Sequence, residues 1–169
     1  MVRLRYLAAV FLFATFTAQS QSLKRYYVSN LQAKGVLYFI LPQNIFKSAD
    51  TDFTYDITYM SKADSVTFNF TVFAKDFFQV QQLQLQTNTS KVQVPVQKLY
   101  VEAKKAGWTA RYSTKISYAD MQDFFKNKNT PQVVLQQNGS SKTLSCKAKQ
   151  WKKTSTINNK IVQVINYNS

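Results

Sequence analysis

Apolar and polar residues alternate one by one over much of the chain, most regularly between residues 53 and 72. Successive side chains of a β-strand point to opposite faces, so this period of two predicts strands that are buried on one face only. The apolar rows of the two clearest strands are Phe53, Tyr55, Ile57 and Tyr59, followed after a polar turn by Val66, Phe68, Phe70 and Val72.

The same alternation predicts further strands. Residues 107–117 carry one row of apolar or small side chains, namely Trp108, Ala110, Tyr112, Thr114 and Ile116. Strands are also predicted at residues 35–41, 78–86, 92–96, 131–137 and 143–149. Pro95 has no backbone N–H to donate to a neighbouring strand, which favours an edge position or a bulge there.

One internal segment has helical spacing instead. The Ser117 hydroxyl can cap the free N–H groups of a helix start, and Asp120 is favoured near the positive end of the helix dipole. Tyr118, Met121 and Phe125 then follow at spacings of three and four. The sequence therefore predicts a short amphipathic helix that packs on a sheet.

The C-terminal segment fits two structures. Residues 160–166 are rich in isoleucine and valine, and Asn158-Asn159 before them can make a tight hairpin turn, which indicates a strand. The spacing of Ile161, Val162, Val164 and Ile165 also suits a helix. Both interpretations stay open at this point.

These elements predict a mostly β fold. Eight or nine short strands with one helix indicate an antiparallel β-sandwich, or a compact open barrel, with one short helix packed on it. No linker-like stretch or repeat interrupts the pattern, so residues 21–169 are expected to form a single β-rich globular domain.

The N-terminus has the layout of a secretory signal peptide. Arg3 and Arg5 form a positive start, and the apolar run at 7–16 is too short for the roughly 20 residues of a membrane-spanning helix. Ala18 and Ser20 are the small residues that signal peptidase requires. We therefore expect residues 1–20 to be removed and the protein to be exported, periplasmic or secreted.

Cysteine content restricts the kind of exported protein. Cys146 is the only cysteine, so no internal disulfide can form and no cysteine follows the cleavage site to carry a lipoprotein anchor. This composition favours a bacterial envelope protein that is not a lipoprotein. Cys146 alternates with Leu144 and Ala148, which predicts a buried and inert thiol.

The formal net charge of +14 is unevenly distributed. Residues 98–169 hold 13 basic and 3 acidic side chains, whereas residues 21–97 hold 7 and 5. Such a field attracts anionic partners, and outside the cytosol the candidates are anionic glycans, lipid head groups, extracellular nucleic acid or an envelope protein. The oligomeric state does not follow from the sequence.

The chain contains no histidine, which removes the histidine-dependent nucleophilic sites and the usual zinc and iron sites. The acidic residues Asp50, Asp52 and Asp56 lie close together in sequence, but a calcium loop normally includes a glycine at its sharp turn and this segment has none. The sequence therefore predicts no metal and no cofactor.

Basic and aromatic residues of the C-terminal half are the best candidates for a binding site. Lysine contacts sulfate or phosphate as a point charge, and tryptophan can stack on a sugar or lie at a membrane interface. The candidate anion-binding residues are Lys104, Lys105, Arg111, Lys115, Lys147, Lys149, Trp151, Lys152 and Lys153.

Three functions are compatible with these features. The first is a non-enzymatic binding or structural module of the cell envelope that binds an anionic glycan or lipid. The second is a histidine-independent hydrolase or lyase on acidic polysaccharide, which requires a cleft where groups such as Arg111, Tyr112, Lys115, Tyr118 and Asp120 meet. The third is a small outer-membrane β-barrel, which the frequent lysines oppose.

Overall fold

The computed structural model describes residues 23–168, so the predicted signal peptide lies outside the described residues. Within them the chain forms one sheet of ten strands and two helices. The strands are β1 Tyr27–Gln32, β2 Gly35–Lys47, β3 Thr51–Met60, β4 Ser65–Ala74, β5 Gln82–Gln86, β6 Lys91–Pro95, β7 Gln97–Lys104, β8 Gly107–Ser117, β9 Gln132–Gln137 and β10 Ser140–Ser145. The helices are α1 Tyr118–Lys126 and α2 Ala148–Tyr167.

The sheet is antiparallel, and it bends so that its two end strands, β6 and β7, lie near each other. Its order is β6-β5-β9-β10-β2-β3-β4-β8-β7, with β1 beside β2. Although β6 and β7 stand at opposite ends of this order, Val96 alone separates them in sequence. The Thr114 hydroxyl of β8 donates a hydrogen bond to the Pro95 carbonyl of β6 over 2.7 Å. The predicted mostly antiparallel β fold, a β-sandwich or compact open barrel, is confirmed, and the sheet is not closed.

The aromatic rows predicted from the alternation form the core. Register pairing places Tyr55 of β3 opposite Phe70 of β4, and Phe70 opposite Tyr112 of β8. The rings of Phe70 and Tyr112 stack with their centroids 5.2 Å apart. Tyr55 stacks at the same distance on Phe68, the neighbouring inward residue of β4. Trp108 is the exception in its row, because at the start of β8 it is 39% exposed.

Helix α1 begins where its capping sequence predicts. The Ser117 hydroxyl accepts a hydrogen bond from the backbone N–H of Asp120 over 3.0 Å. The apolar face buries Met121, Phe124 and Phe125 against the sheet and against α2. Capping and burial therefore act together on a helix too short to be stable alone.

The C-terminal segment is a helix of 20 residues, so residues 23–168 contain two helices rather than the one expected. Residues 148 and 149, predicted as the end of a strand, lie in its first turn. Asn158, expected in a hairpin turn, is fully buried at mid-helix, and Ile161 and Ile165 are buried one turn apart. Apolar residues at this spacing form one face of a helix, so the segment whose pattern fitted both a strand and a helix is a helix.

An acidic residue at the β2–β3 turn gives the fold a specific dependence on pH. A hydrogen bond from Lys142 on β10 lowers the pKa of Asp50 to about 2, and hydrogen bonds from Thr51 and Ser48 contribute to the same shift. Because the folded pKa lies below the unfolded value of about 3.9, the stabilisation is present above that value and is lost as the pH falls through 2.

We therefore expect Asp50→Asn to lower the urea midpoint of unfolding at pH 6 and to leave it unchanged near pH 2. Asp76→Asn is the matched control, because no ion pair involves Asp76 within residues 23–168. An equal effect of Asp50→Asn at both pH values would contradict this assignment.

Within residues 23–168, no helix is both long enough and apolar enough to cross a membrane.

Candidate anion-binding cleft

Three of the candidate basic residues lie on the sheet, away from α2. Arg111 on the outer face of β8 forms an ion pair with Asp56 over 2.7 Å and donates a second hydrogen bond to Thr71. Lys104 and Lys105 lie at the β7–β8 turn, where Lys104 forms an ion pair with Glu102. Two of these three cations are therefore neutralised by neighbours from the sheet.

Lys115, a fourth candidate on the sheet, lies on the same outer face of β8 as Arg111, which is engaged by Asp56. It lines a surface hollow together with Thr67 and Ser113. Among residues 23–168, no second cation lines this hollow. Lys115 therefore does not combine with the other candidate residues into one cationic face.

Trp151 belongs to the core, contrary to its place among the candidate ligand-binding residues. Its side chain is 1% exposed, and its indole N–H donates to the Asn127 carbonyl over 2.9 Å. The ring lies 5.3 Å from Phe124 and 6.2 Å from Phe46, measured between centroids. A ligand cannot reach this ring, because the ring faces away from solvent and holds α2 against α1 and the sheet.

The remaining candidate lysines gather at the start of α2. Lys147 is the N-cap residue and offers no side-chain cap, and Lys149, Lys152 and Lys153 are exposed in the first turns. No acidic residue occurs in α2, and the ion pairs of the part of the chain described here lie on other elements. Cations near a helix N-terminus oppose the helix dipole, so this end of α2 carries an uncompensated positive potential.

A cleft opens beside these lysines because the sheet has a gap next to β2. The β1 ladder ends at the Tyr27–Ile40 pair, and β10 pairs with the same side of β2 only at Lys47. Strand β2 therefore has no strand neighbour on this side at residues 42–46 within residues 23–168. The first turns of α2 face this gap across a cavity of about 390 Å³.

The lining of the cleft combines apolar surface with two cations. Leu41, Ile45 and Ile157 supply apolar side chains, whereas Arg25 and Lys153 supply positive charge. Among the described residues 23–168, no carboxylate lines the cleft. We call these features together the α2 cleft.

Its two cations are not neutralised by the protein. Neither Arg25 nor Lys153 forms an ion pair within residues 23–168, and the Arg25 guanidinium lies 5.8 Å from the ring centroid of Tyr26. The charges are therefore available to a ligand. The sequence analysis identified Lys153 but not Arg25, although Arg25 lies in the basic and aromatic run Lys24-Arg25-Tyr26-Tyr27, because this run is in the less basic half of the chain.

A buried polar network forms the inner wall of the cleft. Gln43 donates its amide N–H to the Asn158 side-chain oxygen over 3.0 Å and accepts a hydrogen bond from the Tyr55 hydroxyl over 3.1 Å. Gln43 faces inward because a bulge in β2 places two residues, Leu41 and Pro42, against the single residue Asp56 of β3. Without this extra residue its side chain would lie on the outer face.

Cys146 lies near this network and is only half-buried, less so than predicted. Burial raises the pKa of its thiol to about 11. The thiolate, which is the reactive form, is therefore scarce at neutral pH.

The groups required for polysaccharide cleavage lie apart. Arg111 is bound to Asp56 on the outer face, whereas Tyr112 faces inward and its hydroxyl accepts the N–H of Val80 over 3.1 Å. Tyr118 donates its hydroxyl hydrogen to Asn166 on α2. These side chains have separate structural partners and do not line a common cleft among those found within residues 23–168.

The closely spaced carboxylates are also separated by their partners. Asp50 pairs with Lys142, Asp52 with Lys47, and Asp56 with Arg111. Within residues 23–168, no group of three or more acidic or cysteine side chains is arranged to hold a metal ion.

No protein-family model, curated protein or solved structure matches this chain. The α2 cleft is therefore the feature of the described residues from which a function can be inferred.

Proposed function

We propose that this protein is an exported, non-enzymatic binding module of the cell envelope that takes an anionic amphiphile in the α2 cleft. The observation that carries the proposal is the pair of unneutralised cations, Arg25 and Lys153, in a partly apolar cleft without a carboxylate. A ligand with one anionic group and an apolar body satisfies both parts of this lining.

The size of the cleft supports a small ligand or one end of a larger one. A volume of about 390 Å³ is at the lower end of the usual range for ligand pockets, about 300–1,000 Å³. The cleft is bounded by β2, by α2 and by the turn before β1 that carries Arg25, so two of its three walls are regular elements formed before binding. The free-energy cost of ordering the site on binding is then smaller.

Charge outside the cleft assists the approach of such a ligand. Lys149, Lys152 and Lys160 share the exposed side of α2 with Lys153, at spacings of three, four and seven or eight residues. Together with the net charge of +14, they attract anions toward this end of the molecule, an effect that salt weakens.

Export remains part of the proposal. It is supported by the N-terminal order of basic, apolar and small residues and by the absence of any disulfide partner for Cys146. A histidine-independent enzyme receives no comparable support, because its candidate groups are engaged elsewhere.

Binding is tested with two fluorescent probes that differ only in charge, the anionic 8-anilinonaphthalene-1-sulfonate and the neutral N-phenyl-1-naphthylamine. We expect the native protein to bind the sulfonate more tightly. Arg25→Gln and Lys153→Gln should each raise its Kd about three- to tenfold, in line with loss of one charge-assisted contact worth about 0.6–1.4 kcal/mol. The Kd of the neutral probe should change little.

Lys152→Gln is the matched control, because it makes the same charge change one residue away but does not line the cleft. Equal weakening by Lys152→Gln and Lys153→Gln would contradict a specific site and indicate only diffuse attraction. Competition by dodecanoate or by oligogalacturonate then distinguishes a lipid source of the anionic group from a glycan source.

A further inference from the structure

Among residues 23–168, three strands of the sheet (β1, β6 and β7) pair with a single neighbouring strand, and one of them is unprotected. Edge strands commonly carry charges, proline or bulges that prevent pairing with other chains. Strand β6 ends in Pro95 and begins with Lys91, and β7 contains charged residues and a bulge between Lys98 and Tyr100. Strand β1 has neither charge nor proline, and its six residues pair with β2 without interruption.

The hairpin register identifies the backbone groups that β1 leaves free. The last pair before the turn is Gln32–Gly35, and the Leu41 N–H donates to the Tyr26 carbonyl over 2.9 Å. Hydrogen-bonded pairs alternate with non-hydrogen-bonded pairs in an antiparallel ladder, so even-numbered β1 residues bond to β2. The N–H and C=O groups of Tyr27, Ser29 and Leu31 therefore point away from β2, toward the free edge.

The side chains of β1 and the charges on either side of it indicate the chemistry of a partner that fits this edge. Leu31 is 86% exposed and Val28 is 46% exposed, so apolar side chains project beside the free backbone groups. Lys24 and Arg25 precede the strand and Lys34 follows it. None of the three forms an ion pair among the described residues.

We propose that an extended segment of a partner polypeptide, apolar in its centre and acidic at both ends, adds to β1 as a further strand. The free backbone groups supply affinity without sequence preference, and the flanking cations select acidic ends. This surface shares Arg25 with the α2 cleft, but the free backbone groups of β1, Lys24 and Lys34 lie outside the cleft lining, so the proposal holds whether or not the cleft binds an amphiphile.

A second copy of this chain fits the edge less well than an acidic partner. Antiparallel pairing of two β1 strands about Ser29 places Lys24 of one copy opposite Lys34 of the other. Parallel pairing also brings like charges together. Like charges facing each other across a strand pair are destabilising.

The test uses the full exported chain, residues 21–169, and two synthetic peptides with the sequences EEVTVTVEE and KKVTVTVKK. We expect saturable binding of the acidic peptide, measured by fluorescence anisotropy, and at least about tenfold weaker binding of the basic one. Hydrogen exchange should slow at the amides of Ser29 and Leu31 when the acidic peptide is bound.

Ser29→Pro is the decisive variant, because it removes an outward N–H without removing a bond to β2. It should weaken binding of the acidic peptide at least about tenfold relative to Ser29→Ala. Lys34→Glu provides a second test that does not alter the backbone, and it should weaken the same complex while leaving probe binding in the α2 cleft unchanged.

Three results would overturn the proposal. These are equal binding by Ser29→Pro and Ser29→Ala, no saturable binding of the acidic peptide, and a dimer in sedimentation velocity that Ser29→Pro dissociates. The last result would assign the edge to a second copy. An unchanged urea midpoint for Ser29→Pro excludes unfolding as the cause of any loss.

Discussion

Replacing Trp151 by alanine is expected to lower the free energy of unfolding by about 3–5 kcal/mol, the usual cost of truncating a buried tryptophan in a core. The indole is 1% exposed and contacts the rings of Phe46, Phe124 and Phe125. The variant also leaves the Asn127 carbonyl without its indole donor. Urea unfolding followed by far-ultraviolet circular dichroism measures the loss.

Two further variants separate packing from the hydrogen bond. Trp151→Phe retains most of the aromatic surface but not the N–H, so its loss should be intermediate, about 1–3 kcal/mol. Lys152→Ala, the exposed neighbour, should stay within about 0.5 kcal/mol of the native protein. A Trp151→Ala loss below about 1 kcal/mol would contradict the buried position of this ring.

Most of the sheet was predictable because its strands are buried on one face. Strands β3 and β4 bury every second residue over their full length, and the sequence shows this period directly. Proline at residue 95 correctly indicated an edge strand. Strand β1 was not predicted, because its exposed residues need no apolar pattern.

Helix α2 was harder to predict because its sequence has weak local preferences. It contains β-branched residues and asparagine, which are poor helix formers, and no acidic residue at its N-terminus. Its stability comes from packing of Trp151, Ile161 and Ile165 against distant elements. Such tertiary packing overrides local propensity, and the short-range spacing of isoleucine and valine alone fitted both a strand and a helix.

The candidate site was predictable only in part for a similar reason. Basic residues of the C-terminal half stand out in the sequence, and Lys153 among them lines the cleft. Arg25 joins it from 128 positions earlier, through the gap between β1 and β10. The inward position of Gln43 depends on a bulge in β2, and a change of one residue in register reverses the face of every following side chain.

The lysines of α2 differ from the paired charges of the sheet in a way that favours a binding role over a structural one. Elsewhere in residues 23–168, acidic residues pair with nearby cations, as Asp56 does with Arg111 and Asp50 with Lys142. Helix α2 has lysines at its N-terminal end and no carboxylate, which does not help its stability. An anionic ligand in the adjacent cleft gives these charges a favourable partner, consistent with the proposed binding function.

Gln43→Met is expected to cost about 1–3 kcal/mol, since it removes the donor to the buried Asn158 oxygen and one of the two hydrogen-bond partners of the Tyr55 hydroxyl, the other being Asn158. Methionine has a similar length, but its thioether is only a weak acceptor and cannot donate to Asn158. Tyr55 is 1% exposed and Asn158 is fully buried, so water does not replace the lost bonds. Urea unfolding measures the change, with Asn44→Met on the exposed neighbouring residue as the control.

The decisive comparison is a triple variant that adds Tyr55→Phe and Asn158→Leu to Gln43→Met. Removing all members of a buried polar network can cost less than removing one, because no donor or acceptor is then left without a partner. We therefore expect the triple variant to recover more than half of the loss caused by Gln43→Met. If the three changes were additive, the network would not be coupled through Gln43. The inner wall of the cleft would then be independent of the core beneath it.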